Sequence, residues 1–285
     1  MSGNTVWLAS YPKSGNTWWR AVYSAWRSGG APQLAALGTI AASRQRFDEA
    51  LGIASSDLTP EEIERLRPLA DDAVDERHEE LRLEKIHDRL STATGGQIVS
   101  VAATAGALYI VRDPRDVAVS LAHHYDRSVD WAVALLNEPG ATLVGRTDDI
   151  GDQLPQTTGS WSEHVISWVD EAPFPVHVFR YEDCLADPVK AFTTGFRAAG
   201  FEVDTRQLVA AVERASFANL ADAEAISGFP EARSRNSAFF RQGKAGSWRE
   251  ELRPDLAEQI EVTHHAVMAR FGYATAEQIE ASADQ

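Results

Sequence analysis

The sequence is short of cysteine, of cations and of long apolar runs. Its one cysteine, Cys184, excludes an intramolecular disulfide and fits a reducing compartment. As a small hydrophobe, Cys184 is expected to be buried. Lys and Arg number 27 against 42 Asp and Glu, for a formal charge of −15. So acidic a surface repels nucleic acid and anionic membranes, and neither is expected as a partner. No apolar run approaches the ~20 residues that a bilayer-spanning helix needs. The first residues carry no basic run followed by an apolar stretch. A cytoplasmic protein is the expectation. No Cys/His cluster has metal-ligand spacing, so no metal is expected, and the pairs His123-His124 and His264-His265 read as surface residues. No 20–50-residue period repeats and no linker divides the chain.

What is present suffices for a large core: 44% of the 285 residues are hydrophobic. Residues 6–9, 107–111 and 175–181 read as buried strands, the second a continuous apolar run with β-branched residues. Gln97 to Ala105 fits a strand or a loop. Helical patterns follow Thr17, Pro114, Ser160 and Pro188, and a last one covers 255–271 before Gly272. Trp161, Val165 and Trp168 share one helix face and read as core. Residues 31–84 are rich in Ala, Glu, Asp, Arg and Leu and read as a helical insertion. There Thr59, Pro60 and Glu62 spell a capped helix start. Residues 137–160 are polar and glycine-rich and read as a lid loop. Insertion and lid are expected to shape an acceptor pocket. The simplest architecture is α/β, one domain over 1–275 with a central parallel sheet flanked by helices, then a polar tail at 276–285.

Three segments carry chemistry. Val6 to Arg20 runs strand, loop, helix. The loop Tyr11-Pro12-Lys13-Ser14-Gly15-Asn16-Thr17 puts Lys13, two hydroxyls and a helix N-terminus together, a setting that favours a bound phosphate. It is not a Walker A loop, because Lys13 precedes Gly15. Arg112, at the carboxyl end of the 107–111 strand, can fork two donors onto a phosphate, and Ser120 follows two helical turns on. Phe239 to Trp248 holds Arg241, Gln242, Gly243, Lys244 and Gly246, where glycine lets backbone approach an anion.

These segments resemble PAPS-dependent sulfotransferases, whose donor is 3′-phosphoadenosine 5′-phosphosulfate. Tyr11 to Trp18 is similar to the family's Tyr-Pro-Lys-Ser-Gly-Thr-Thr-Trp, with Asn16 as the departure. Val111 to Ser120 resembles the 3′-phosphate motif. Arg180-Tyr181-Glu182-Asp183 resembles the family's Tyr-Glu-Asp segment, and Ser216-Phe217 a Ser-Phe near the adenine. Arg241 to Trp248 is similar to Arg-Lys-Gly-x-x-Gly-Asp-Trp, with Gln242 for Lys and Ser247 for Asp. Lys85-Ile86-His87 stands where the family carries Lys-x-His, without the usual Leu-Pro behind it, since Asp88-Arg89 follow.

The resemblance implies a P-loop-like three-layer sandwich and sulfuryl transfer from PAPS, without metal, to a hydroxyl or amine, giving PAP. It implies that His87 is the base, Lys13 stabilises the leaving oxygen and Lys85 neutralises the sulfuryl oxygens. Ser14, Gly15, Asn16 and Thr17 would hold the 5′-phosphate. Arg112, Ser120, Arg241, Gln242 and Gly243 would hold the 3′-phosphate, with Lys244 compensating for Gln242. Trp18, Phe217 and Tyr181 would contact adenine. A P-loop-like nucleotide kinase and a catalytically idle nucleotide-binding relative stay open as alternatives. The acceptor carries no readable code. The C-terminal dimerisation signature of many cytosolic relatives is not evident, which leaves the oligomeric state open.

Overall fold

A computed structural model of the chain describes residues 3–37, 40–92, 95–143, 151–232 and 238–274. In order, the elements are β1 (Thr5–Ser10), α1 (Asn16–Ser28), α2 (Arg44–Leu51), α3 (Pro60–Asp75), β2 (Arg82–Ile86), β3 (Thr104–Val111), α4 (Pro114–Tyr125), α5 (Val129–Asn137), β4 (Thr142–Leu143), β5 (Gln156–Thr157), α6 (Trp161–Val169), β6 (Val176–Arg180), α7 (Tyr181–Ala186), α8 (Pro188–Ala198), α9 (Thr205–Arg214), α10 (Phe217–Ser227), α11 (Trp248–Glu251) and α12 (Pro254–Arg270). The tail expected at 276–285, and residues 144–150 of the expected lid, lie outside the described residues.

β1, β2, β3 and β6 form one parallel sheet in the order β2-β1-β3-β6. Every residue of β1 is buried, as a central strand covered on both faces requires. Alternate side chains feed two cores. Trp7, Ala9, Tyr109 and Val111 pack with α4, α5, α6 and α12, while Val6, Leu8, Leu108 and Ile110 pack with α1, α8 and α9. The result is helix, sheet, helix, as the α/β reading expects.

Sequence analysis misses β2. Its run Arg-Leu-Glu-Lys-Ile carries three charges and no clean alternation, and it lies at the sheet's edge, with β1 on one side and an isolated bridge from Ile40 to Lys85 on the other. Most of 97–105 is loop, and β3 begins at Thr104. Thr59 and Glu62 form the expected capping box on α3, and Trp161, Val165 and Trp168 are fully buried. Cys184 is buried as well. The histidine pairs are not uniformly surface. His264 is buried on α12, with Nδ1 paired to Ser162 Oγ at 2.8 Å and Nε2 to Asn137 Oδ1 at 3.0 Å. His124 lines the large cavity. Two histidines in a row face different ways on a helix, so one can be buried while its neighbour is not.

Candidate active site

All four strands of the main sheet deliver a site residue at their carboxyl ends, the edge where open α/β sheets bind ligands. In spatial order these are His87 after β2, Lys13 after β1, Arg112 after β3 and Tyr181 after β6. They line one cavity of about 490 Å³. The turn after β1 and the turn after β3 are bonded to each other, since Arg112 donates to the Lys13 carbonyl at 3.0 Å. Its other terminal nitrogen donates to the Lys244 carbonyl at 3.0 Å, which ties in the glycine-rich loop. Arg112 Nε is a buried donor with no acceptor among the described residues, and the guanidinium stacks over the Tyr181 ring at 4.5 Å.

Local backbone explains the first turn. Gly15 has φ 103°, and a Cβ there would come within 2.6 Å of the Tyr181 ring. Lys13 itself has φ 70°, an uncommon setting for a non-glycine residue. α1 starts directly after Gly15, where a helix leaves N–H groups without intrahelical partners. Its first residues Asn16, Thr17 and Trp18 line the cavity, with the Trp18 N–H donating to the Gly15 carbonyl at 3.0 Å. Ser14 departs from this arrangement. It is buried, its N–H donates to the Tyr11 carbonyl at 3.3 Å, and it is absent from the cavity wall. Asn16 lines the wall, but its amide is engaged, donating to the Leu8 carbonyl at 2.8 Å and accepting from Arg20 Nε at 3.1 Å. Trp18 Nε1 is another buried donor without an acceptor.

His87 has a defined tautomer. Nδ1 lies 2.8 Å from the Ser10 carbonyl, which can only accept, so Nδ1 carries the proton and Nε2 keeps its lone pair. Burial, then the charge of Lys85, push its pKa well below the usual histidine range. The residue is braced from behind. His164 Nε2–H donates to the His87 carbonyl at 3.2 Å, so His164 Nδ1 accepts from the Tyr109 hydroxyl at 2.8 Å. Next along the chain, Asp88 takes both terminal nitrogens of Arg67, at 2.7 and 2.9 Å, in a buried pair. Here the insertion reaches the site: α3 supplies the partner that fixes the turn after β2.

Lys13 and Lys85 are enclosed cations. Enclosure pushes Lys13 down to about 7, against the support of Glu231, with Lys85 and Arg112 adding to the fall. Lys85 goes down to about 8, first by burial and then by Arg20, again opposed by Glu231. Lys85 Nζ pairs with Glu231 Oε1 at 3.0 Å, and Lys13 Nζ lies 3.8 Å from the Phe239 ring centre.

The far end of the cavity belongs to Ser120 and the glycine-rich loop. Gly243 has φ 60°, and a Cβ would meet the Phe217 ring at 2.4 Å. Arg241 and Gln242 line the wall, although Arg241 is also bonded to Glu251 at 2.9 and 3.2 Å. Asp116 holds the loop to α4, accepting from Gly246 N at 2.6 Å and Trp248 N at 3.0 Å. Of the residues given a catalytic or cofactor-binding role in the sequence, Ser14 alone stands outside the wall. Sequence reasoning missed Arg20, Arg67, Asp116, Glu231 and Phe239. Asp116 lay inside a quoted motif, while Arg67 and Glu231 carried no local signal.

Cations concentrate as an anion site requires. Lys13, Lys85, Arg112, Arg241 and Lys244 line the cavity against Asp116, Asp152 and Glu231, in a chain of net charge −15. Ile40 from the insertion and Leu143, Asp152, Gln153 and Gln156 from the 137–160 segment also line the cavity.

The chain matches the family described as sulfotransferase domain over residues 4–272. It is 28% identical to cytosolic sulfotransferase 16 of Arabidopsis thaliana over 166 residues, 54% of this chain and 48% of that protein. With cytosolic sulfotransferase 17 of the same plant it shares 26% over 277 residues, 90% of this chain and 72% of the relative. In three dimensions it is similar to mouse sulfotransferase SULT7A1, crystallised with PAP, with a TM-score of 0.59 and 20% identity over 93% of this chain and 85% of the mouse one. The turn after β1, the arginine-led corner after β3, the glycine-rich loop and this match all agree: the chain belongs to the sulfotransferase domain family.

Proposed function

We propose that this chain transfers the sulfuryl group of PAPS to a hydroxyl or amine of a small-molecule, carbohydrate or peptide acceptor, releasing PAP. The observation that carries the reading is the bond between Arg112 and the Lys13 carbonyl, which joins two anion cradles on one cavity. The cavity also fits a nucleotide on other grounds. Arg112 Nε and Trp18 Nε1 are buried donors lacking an acceptor, and Gly15 and Gly243 leave backbone room that a side chain would fill.

In this reading His87 Nε2 takes the acceptor's proton as the acceptor oxygen bonds to sulfur. The bond between sulfur and the oxygen of the 5′-phosphate breaks, and Lys13 meets the charge left on that oxygen. Such a preorganised charge contributes ~3–4 kcal/mol. Lys85 neutralises the sulfuryl oxygens. Thr17 and the N–H groups at the start of α1 hold the 5′-phosphate, with Ser14 confined to shaping the turn. Arg112, Ser120, Arg241, Gln242 and Gly243 hold the 3′-phosphate, and Trp18, Phe217 and Tyr181 bracket adenine. No step calls for a metal. Residues 1–275 act as one domain, with the insertion and the 137–160 segment walling the acceptor.

A cytoplasmic setting is part of the proposal. Two relatives are named cytosolic, and among the described residues no helix is long and apolar enough to cross a membrane. Calorimetry with PAP and with ATP–Mg²⁺ tests the donor, and PAP is expected to bind without metal. An acceptor screen scored by the mass of one added SO₃ tests the transfer. Binding of ATP–Mg²⁺ in preference to PAP would overturn the reading in favour of a kinase.

A further inference from the structure

Glu231 stands in no motif, yet it reaches the centre of the cavity. It lies between α10 and the glycine-rich loop, after Gly228 and Pro230. Its Oε1 is shared by Lys85 Nζ at 3.0 Å and an Arg20 terminal nitrogen at 2.8 Å. Arg20 is buried and anchored, donating also to Asn16 Oδ1 at 3.1 Å and Thr17 Oγ1 at 3.1 Å. The same segment carries Phe229, whose ring packs on Phe239 at 4.6 Å, and Phe239 lies beneath Lys13 Nζ. One stretch of chain thus sets a carboxylate on Lys85 and is packed against the ring that faces Lys13.

A carboxylate in that place stands where the sulfuryl oxygens of the donor would meet Lys85. We propose that Glu231, anchored on Arg20, is the resident counter-ion of the donor site, occupying the anion position at Lys85 and giving that lysine up when the sulfuryl group arrives. The proposal rests on PAPS being the donor.

The surrounding charges give the reason. Lys85 faces Arg20 from α1, Glu231, and the neighbouring His87. Lys13 faces Glu231, Lys85, Arg112 and, from α10, Glu224. Enclosed cations in a low-dielectric site shed protons unless an anion is near. Glu231 is the largest charge supporting the Lys13 proton and the carboxylate paired with Lys85, while Lys85 and Arg20, against burial, hold its own pKa at about 2. A resident anion therefore keeps both lysines charged and ready before the donor enters.

The test is kcat/KM for PAPS against pH in the parent chain, Glu231→Gln and Arg20→Gln, with PAP calorimetry at about pH 6, where the lysines are protonated. Glutamine keeps an acceptor for Arg20 and removes the charge. E231Q is expected to move the basic limb to lower pH by about one unit, since an ion pair at this range is worth at least that much. At the acid end E231Q is expected to bind PAP at least as tightly as the parent. R20Q removes a repelling cation and is expected to move the Lys85 limb the other way. A merely structural loss lowers rate at every pH and gives no opposed displacements. E231Q and parent profiles that superimpose, or an even loss across the pH range, would overturn the proposal. If E231Q does not fold, Glu231→Ala is read in its place, with the same displacement of the basic limb expected and a superimposed profile or an even loss overturning the proposal. A parent that neither binds PAP nor transfers from PAPS overturns the donor reading itself, and this proposal with it.

Discussion

At the scale of the residue, the site depends on cations held where water is scarce. Lys13→Ala is expected to lower kcat by about 10²–10³-fold, the usual loss when one preorganised charge is removed, while PAP still binds. Unchanged turnover would remove Lys13 from the chemistry. The pH dependence follows from the signs of the shifts. His87 lies well below its usual range, first by burial and then by the charge of Lys85, which favours the neutral form that the proposed base needs. A lysine with a lowered pKa loses its charge as pH rises through that value, so kcat/KM is expected to fall above about 7 as Lys13 deprotonates and again about 8 as Lys85 follows. A profile that keeps rising to about pH 9 would contradict this assignment. Of these features the sequence supplies the identities of Lys13, Lys85 and His87. Their altered acidity comes from burial and from cations distant in the chain, Arg112 for Lys13 and Arg20 for Lys85, against the support of Glu231, and no local pattern announces it.

At the scale of the element, turns and loops are fixed by contacts that run between elements. Gly243→Ala forces a left-handed φ on alanine and a methyl group into the Phe217 ring. The backbone cost alone is about 1–2 kcal/mol. The variant is expected to lose PAP affinity with little change in thermal midpoint, because the loop can shift without unfolding the sheet. Calorimetry and a melting curve check this, and unaltered PAP affinity would refute it. The Arg67–Asp88 pair is the opposite case. Both partners are buried, so Arg67→Leu leaves a carboxylate without its counter-ion, at a cost of about 3–5 kcal/mol. A strongly lowered melting temperature is expected, together with impaired turnover, because Asp88 adjoins His87. A melting temperature equal to the parent's would count against it. In the family the residues after the histidine are usually Leu-Pro. Here a charged pair from the insertion fixes the same turn, which explains how the chain tolerates the departure.

At the scale of the molecule, the sheet order β2-β1-β3-β6 lays His87, Lys13, Arg112 and Tyr181 in a row along one edge, the order the proposed base, leaving-group lysine and phosphate arginine need. Arg112→Ala is expected to weaken PAP more than adenosine 5′-phosphosulfate, which lacks the 3′-phosphate. Equal weakening of both ligands would place Arg112 elsewhere. The motifs after β1 and β3 were legible because strand, turn and helix are contiguous there, so spacing alone reports the local geometry. The parallel core was legible too, since a strand covered on both faces is apolar along its centre, as β1 is over residues 6–9 and β3 over residues 107–111. What the chain order could not show is which turns meet. Arg112 and Lys13 are far apart in sequence and 3.0 Å apart in space, and β2 with its charged run becomes a strand only because β1 offers it an edge. Sequence alone determined the residues proposed to bind anions and the type of fold, because both follow from short-range spacing and hydrophobic burial. Tertiary structure alone decided the tautomer of His87, the pairing of Lys85 with Glu231 and Arg20, and the exclusion of Ser14 from the cavity, because each depends on atoms brought together by long-range packing.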